Sequence, residues 1–337
     1  MSYIFSVTRR CNLHCKTCNI WQEKDNPEFT AEEFGKIIAS IGRSAEWITI
    51  TGGEPFLRED LIDIFKYIQE YSKPKVITMA TNGTLYDRTP ELVKRIVSLC
   101  PKSRIVIYVS IDGARSLHDF IRGMPGCYDN AIKTFTSLKE IRAKYNLDFT
   151  IGINTVVSKF NINRFTEIYK EITELKPDSF LVEMAQHRDE FKNSCNDIVP
   201  DWEEIKDVLT LAYNFGFNCR VQPVKSIKIL RQSYYQHLKN ILTSNKADIS
   251  CYAGIASAYI MPNTDVWVCA VKKKLVGNLR ENGYNLKKIW QGRLTQQAVA
   301  EIHKERCFCT LANMSNTNVL CNLGRFSKFI WSYLRRN

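Results

Sequence analysis

The sequence predicts an α/β fold: a partial (β/α)6 barrel of TIM type followed by a small cysteine-rich C-terminal module. Three observations carry this reading. Six short apolar runs alternate with amphipathic helical stretches over the first 183 residues. The rhythm changes from about residue 184, and beyond residue 250 the chain is irregular and rich in Cys, Asn and Gly. The 337 residues are 45% hydrophobic, enough for one large α/β domain and a smaller unit.

The elements follow in order. "YIFSV" (3–7) reads as a strand that runs straight into a cysteine loop. "TAEEFGKIIASIG" (30–42) reads as a helix, with Thr30 and Glu33 as a capping box, Phe34, Ile37, Ile38 and Ile41 as its apolar stripe, and Gly42 as its stop. "EWITI" (46–50) is a buried strand before a Gly-Gly turn, and 60–71 is an amphipathic helix. Strand 75–81, helix 89–100 with Pro90 at its first position, and strand 104–110 come next. Helix 127–145, strand 149–157, helix 163–175 and strand 179–183 complete six βα units. Six units fall two short of a closed eight-stranded barrel, and the functional loops belong at the strand C-termini. A further helix is expected at 201–216, with Asp201 and Glu204 as a second capping box. The resulting boundaries are 1–185 for the barrel, 186–250 for a helical connector and 251–337 for the module.

No run of 18 apolar residues appears, and "MSYIFSVTRRCN" lacks the basic-apolar-small order of a secretory signal. The expectation is a cytoplasmic protein, in which twelve cysteines point to metal ligands or catalytic thiols rather than disulfides. The formal net charge of +12 is spread along the chain, with concentrations at 271–275 and 332–337. It admits nucleic acid, an anionic lipid surface or an acidic substrate, and equally a solvated basic surface.

The motif that decides the chemistry is "RRCNLHCKTCNIW", with Cys11, Cys15 and Cys18 spaced C-x3-C-x2-C directly after the first strand. Zinc normally takes four N/S ligands, and His14, squeezed inside the motif, is poorly placed to be the fourth. A [4Fe–4S] cubane is held by one thiolate per iron. Three thiolates therefore leave one iron open to bind and reduce a small molecule.

This motif resembles the cluster loop of radical S-adenosylmethionine (SAM) enzymes, and later motifs agree in order and strand position. "TGGEP" (51–55) resembles the family's GGE motif; the resemblance implies that Gly52, Gly53 and the Glu54 carboxylate face the SAM ammonium. "ATNGT" (80–84), with Thr81 and Asn82, and "VSIDG" (109–113), with Ser110 and Asp112 on the ribose side, end the third and fourth strands. Arg122 in "HDFIRG" would pair with the SAM carboxylate, and Asn154 on the fifth strand matches a ribose-contacting asparagine. Thr17 stands where the family often has an aromatic residue, and Trp21 would supply that surface instead. The resemblance implies reductive cleavage of SAM to a 5′-deoxyadenosyl radical that abstracts hydrogen from a substrate C–H bond. The protein's part is to hold the reactants and exclude water.

Cys251, Cys269, Cys307, Cys309 and Cys321, with "GNL" (277–279) between them, resemble the auxiliary-cluster module of the SPASM/twitch group. That resemblance implies a second Fe–S cluster held by Cys251, Cys269 and two of Cys307, Cys309 and Cys321. A degenerate module with buried thiols is the alternative. Thr264 replaces an expected turn glycine, and Asn313 stands where relatives carry a cysteine. Cys100, Cys127, Cys195 and Cys219 are isolated and read as structural.

The reading is thus a monomeric radical SAM enzyme, served by a reductase, flavodoxin or ferredoxin as electron donor. Its substrate is a sugar, nucleotide-sugar or lipid-linked metabolite, the charge favouring an acidic or phosphorylated one. A ribosomally made peptide is the alternative, less favoured because Cys11 leaves no room for a preceding leader-binding domain. A non-catalytic metal or Fe–S protein binding nucleic acid is the reading from another class; the sequence lacks the interleaved aromatic and basic patches of single-strand binders, so no nucleic acid is expected. The tail 325–336, with Phe326, Phe329, Ile330 and Tyr333 on one helical face among basic residues, reads as an amphipathic helix for a membrane surface, a partner or its own domain.

Overall fold

The computed structural model describes residues 1–23, 27–218, 225–244, 246, 248–307, 309–324 and 326–327. The six expected strands are β1 (Ser2–Ser6), β2 (Trp47–Thr51), β3 (Val76–Thr81), β4 (Arg104–Ser110), β5 (Thr150–Val157) and β6 (Ser179–Met184). Each pairs in parallel with the next. Such adjacency requires a crossover between every pair. The crossovers are α1 (Ala31–Ile41), α2 (Leu61–Tyr67), α3 (Thr89–Leu99), α4 (Arg115–Arg122) with α5 (Cys127–Lys144), and α6 (Phe165–Glu174).

The local signals act as expected at α1. Thr30 accepts from the Glu33 backbone N–H, Glu33 reciprocates at the Thr30 N–H, and Phe34, Ile37, Ile38 and Ile41 are all buried. Gly42 ends the helix at φ 59°, a conformation costly for any other residue. The helix expected over 60–71 is α-helical only to Tyr67 and then widens into a π turn, Ile68–Ser72, which closes on Lys73 in the left-handed region.

The connector folds as α7 (Trp202–Asn218) and α8 (Lys225–Ser244), the second of which the sequence reading did not anticipate. The cysteine-rich tail opens with β7 (Ser257–Ile260), β8 (Asp265–Trp267) and β9 (Leu275–Asn278). These strands do not form a separate sheet. β7 pairs in parallel with β1, from Ser2 opposite Ser257 to Phe5 opposite Ile260, and β8 and β9 continue antiparallel. One sheet of nine strands, ordered β6-β5-β4-β3-β2-β1-β7-β8-β9, therefore carries both units. At the β7–β8 turn Thr264 takes the place of a glycine at φ 70°. Its buried hydroxyl donates to Asn278 Oδ1 at 2.9 Å and offsets that strain.

Helices α9 (Leu286–Trp290), α10 (Arg293–Lys304) and α11 (Ala312–Cys321) end the described chain. α11 is buried nearly all round and runs between two cavities. Leu311, its N-cap, lines a cavity at the strand C-termini, whereas Asn316, Thr317 and Leu320 line another at the strand N-termini. The amphipathic tail expected at 325–336 falls almost wholly outside the described residues, as does Cys219. No helix among the described residues is long and apolar enough to cross a membrane.

Arg280, just after β9, fastens the two units together: its Nε and Nη2 donate to the Glu33 carboxylate at 2.6 and 2.8 Å, and Tyr284 Oη donates to Glu33 Oε1 at 2.7 Å. The Arg280 bond, followed by Tyr284 and the Thr30 N–H, holds the Glu33 carboxyl down at about 2 against an ordinary 4.5, opposed by partial burial. A depressed folded-state value stabilises the fold above pH 4.5 and ceases to as pH falls towards 2. Arg280→Ala is expected to cost about 1–3 kcal/mol near neutral pH. The same change should flatten the acid limb of a pH–stability curve measured by urea unfolding.

Candidate active site and auxiliary cysteine site

The loop after β1 has little regular structure, so its backbone polar groups must be met by neighbours. On one side stands the turn after β2. Gly53 N donates to Thr8 O at 2.8 Å and Glu54 N to Arg10 O at 2.9 Å. A Cβ on Gly53 would lie 2.1 Å from Arg10 O. The glycine pair therefore permits close approach of the cysteine loop itself, a role that the sequence reading gave to the ligand alone.

On a second side stands the end of α4. His14 N donates to Arg122 O at 3.2 Å and Lys16 N to Ile121 O at 2.8 Å. Gly123, at φ 70°, leaves His14 O only 2.3 Å from where a Cβ would stand. The tip of β3 supplies a third clamp: Asn82 Nδ2 donates to Asn12 Oδ1 at 2.8 Å, and Asn12 Nδ2 to Thr84 Oγ1 at 2.7 Å. A fourth comes from the segment after β6, where Asn193 Nδ2 donates to Thr17 O at 2.8 Å and Asn196 Nδ2 to Lys16 O at 2.9 Å. Asn193 and Asn196 were missed from sequence, and no motif marks them.

These clamps set Cys11, Cys15 and Cys18 on a cavity of about 1090 Å³, counted to its open mouth, at the C-terminal ends of the strands. Gly52, Gly53, Thr81, Asn82, Ser110, Asp112, Arg122 and Asn154 line the same cavity. Eight of the nine residues expected at SAM thus share one wall with the three thiols. Thr17 and Trp21 also line it, and Trp21 packs edge-on against the exposed His14 at 4.6 Å. Glu54 is not among the lining residues. Its carboxylate lies behind the wall, accepting from Thr81 Oγ1 at 3.0 Å, Asn82 N at 2.6 Å and Phe56 N at 3.2 Å. Burial pushes this carboxyl up to about 7, against the pull of those donors. It braces the tips of β2 and β3 against each other rather than facing the cavity.

Arg122 Nε lies 2.8 Å from Asp112 Oδ2. Burial works to lower its pKa, but Asp112 and Cys15 outweigh that and raise it, so the guanidinium stays charged beside the second cysteine. Asp112 is fixed in turn: its carboxylate accepts from Val156 N at 2.9 Å and its N–H donates to His118 Nδ1 at 3.0 Å. Burial, then Arg122, pushes His118 down to about 3, which keeps it a neutral acceptor. Asn154 donates to Glu183, while its Oδ1 is buried without a partner among the described residues.

The donor set, three or four thiols at each site, has the chemistry of Fe–S ligation. Four thiolates on one zinc at about 2.3 Å would crowd within about 4 Å of each other. Among the described residues no three Cys, His, Asp or Glu side chains gather closely enough to hold one metal ion. Burial pushes the Cys11 thiol up to about 11 and Cys18 up to about 12. Bare, they are neutral thiols; bound metal supplies the charge that deprotonates them.

A second cavity, of about 430 Å³, is lined by Cys251, Cys269, Cys307 and Cys309 together with His237 and Asn318. Four thiols around one void match the four-cysteine pattern of a closed cluster. Cys321 does not join them. It sits at the far end of α11, on the cavity at the strand N-termini, because the helix carries it away from Cys309. Of the three candidates for the last two ligands, the structure gathers Cys307 and Cys309. Among the isolated cysteines, Cys100 and Cys127 are buried as expected, whereas Cys195 is exposed.

Two stretches of the chain match known families. Residues 5–159 match the family model of the radical SAM superfamily, and residues 251–313 match SPASM, an iron–sulfur cluster-binding domain. An AdoMet-dependent heme synthase of Methanosarcina barkeri is 28% identical over 311 residues, covering 85% of this chain and 81% of that protein. An Fe-coproporphyrin III synthase of the same organism is 36% identical over 159 residues, covering 45% of this chain but only 37% of that protein. The solved structure of anSMEcpe with bound AdoMet superposes with a TM-score of 0.62 at 15% identity, covering 100% of this chain and 97% of the other.

Two substitutions test the geometry. Gly53→Ala is expected to displace the cysteine loop and lose most of the iron of the first cluster, read as iron per chain after anaerobic reconstitution, with far-UV circular dichroism unchanged. Cys309→Ala should lower iron by about half, the share of one of two four-iron clusters, whereas Cys321→Ala should leave it at the wild-type level.

Proposed function

The chain belongs to the radical SAM superfamily and carries a C-terminal iron–sulfur module; from that premise we propose that it abstracts hydrogen from a small anionic metabolite bound beside SAM in the cavity at the strand C-termini. The observation that carries the reading is the convergence of three thiols and eight expected SAM-facing residues on that single cavity. Glu183, Gln186, Arg188 and Asn193 extend its lining beyond the SAM residues and offer charge and hydrogen bonds for a polar substrate.

Cys11, Cys15 and Cys18 would hold a [4Fe–4S] cluster, and Cys251, Cys269, Cys307 and Cys309 an auxiliary one. A cluster held there would supply, once reduced, the electron for reductive cleavage of SAM to methionine and a 5′-deoxyadenosyl radical. The chain's own residues do the rest. Arg122 offers its guanidinium to the SAM carboxylate, and the orphaned Asn154 Oδ1 offers an acceptor to the ribose hydroxyls. Asp112, held by Val156 and His118, keeps Arg122 in place beside Cys15. The apolar lining from Leu13, Ile20, Val156, Ile198 and Leu311 excludes water that would quench a radical.

A second reading rests on the heme synthase relative, whose similarity spans most of both chains: the metabolite is a carboxylate-bearing tetrapyrrole. Both readings share the radical step and an anionic substrate, and they differ in substrate size. Reconstituted protein with dithionite should release 5′-deoxyadenosine from SAM, and Cys15→Ala should abolish that release. The substrate is identified by deuterium transfer into 5′-deoxyadenosine from labelled nucleotide-sugars, sugar phosphates and iron coproporphyrin, tried in parallel. Release of no 5′-deoxyadenosine from fully loaded protein would sink the reading. Transfer from the porphyrin alone would establish the second.

A further inference from the structure

The sheet encloses another cavity, of about 1630 Å³ counted to its mouth, at the opposite, N-terminal ends of the strands. The radical chemistry does not use it. Its wall is mainly apolar: Trp47 and Val76 begin β2 and β3, Val106 and Leu181 lie on β4 and β6, and Leu230 and Leu320 come from α8 and α11. One charged side chain, Arg231 of α8, lines it without an acidic partner among the described residues.

Arg231 Nη2 donates to Tyr108 Oη at 3.0 Å, and that hydroxyl is shared with Ser179 Oγ at 3.1 Å. Nε and Nη1 are buried with no acceptor among the described residues. The carboxylate on this wall, Glu46, pairs with Lys75 at 2.8 Å on the exposed rim. The guanidinium also lies over the Tyr234 ring, 5.8 Å from its centroid. Asn316 lines the same cavity, and its amide oxygen is also buried without a partner among the described residues. Arginine cannot shed its proton to escape such a place. A buried cation left without an anion is strongly disfavoured, so among the described residues the site has one charge missing.

We propose that this cavity binds an amphiphile with a single anionic head, which pairs with Arg231 while its apolar body lies along the strand starts. A guanidinium whose Nε and Nη1 both lack an acceptor among the described residues suits a carboxylate, and an apolar wall suits an alkyl or prenyl body. The anion reaches Arg231 from the N-terminal face, so the ligand does not compete with SAM or substrate.

The test uses the cluster-loaded full chain and two probes, decanoate and its neutral analogue decanamide, followed by isothermal titration calorimetry and thermal unfolding. Wild type should bind decanoate about tenfold or more tightly than decanamide, and decanoate should raise its unfolding midpoint. Arg231→Met should erase the preference while decanamide binding persists, and should raise the ligand-free midpoint by removing an unpaired buried charge. Val76→Trp, which fills the cavity and leaves Arg231 intact, should weaken both probes and keeps the test open should the first variant fold poorly. Absence of decanoate binding, equal affinity for the two probes, or binding untouched by Val76→Trp would each overturn the proposal. Competition of decanoate with SAM would do so as well, by moving the ligand to the other cavity.

Discussion

The seating of the cysteine loop is the constraint on which the site depends. Three thiols that must meet one cluster are carried on a stretch with almost no hydrogen bonds of its own. A loop of that kind takes its shape from whatever receives its backbone. Here the receivers are the tips of β2, β3 and the segment after β6, and the end of α4. Each also brings residues to the cavity wall: Gly52 and Gly53 from the first, Asn82 from the second, Asn193 from the third, Arg122 from the last. Gly53, Asn82, Asn193 and Arg122 therefore serve ligand wall and loop clamp at once.

That double duty explains what could and could not be read from sequence. Strand order was legible because six apolar runs separated by helices leave few topologies. The capping box at Thr30 and Glu33 was legible because its spacing is local. The glycine pair was found, but its close approach to Arg10 O was not, since a contact between residues roughly forty positions apart leaves no periodic trace. The hydrogen bonds that the Glu54 carboxylate accepts from Thr81 and Asn82 were illegible for the same reason. Asn193 and Asn196 sit in a stretch without pattern, and their partners are main-chain oxygens, which any sequence has.

The C-terminal unit was legible as a cysteine spacing and illegible as a fold. β7 extends the barrel sheet through β1, so the two units share a continuous hydrogen-bond ladder rather than a linker. Parallel pairing of strands far apart in the chain has no signature beyond two apolar runs. The Arg280–Glu33 contact repeats the point, since each partner alone reads as a surface charge. The choice among Cys307, Cys309 and Cys321 turned on α11, whose uniform burial gives it no amphipathic stripe to read.

The two cysteine sites differ in a way that bears on their division of labour. Three thiols leave a four-iron cluster one iron short of a protein ligand, and the cavity at that point is lined by the residues expected to hold SAM. Four thiols around the second void would occupy every iron, so a substrate could bind there only by displacing a cysteine. Cys309 nonetheless lies two residues before Leu311, which lines the active cavity. Tyr234 donates to the intervening Thr310 carbonyl at 3.0 Å, and Gln186, on the cavity wall, bonds the Thr310 hydroxyl. The second site is thus tied to the wall of the first cavity through the short segment from Cys309 to Leu311. That arrangement suits a cluster that exchanges electrons with bound substrate and does not suit one that coordinates it.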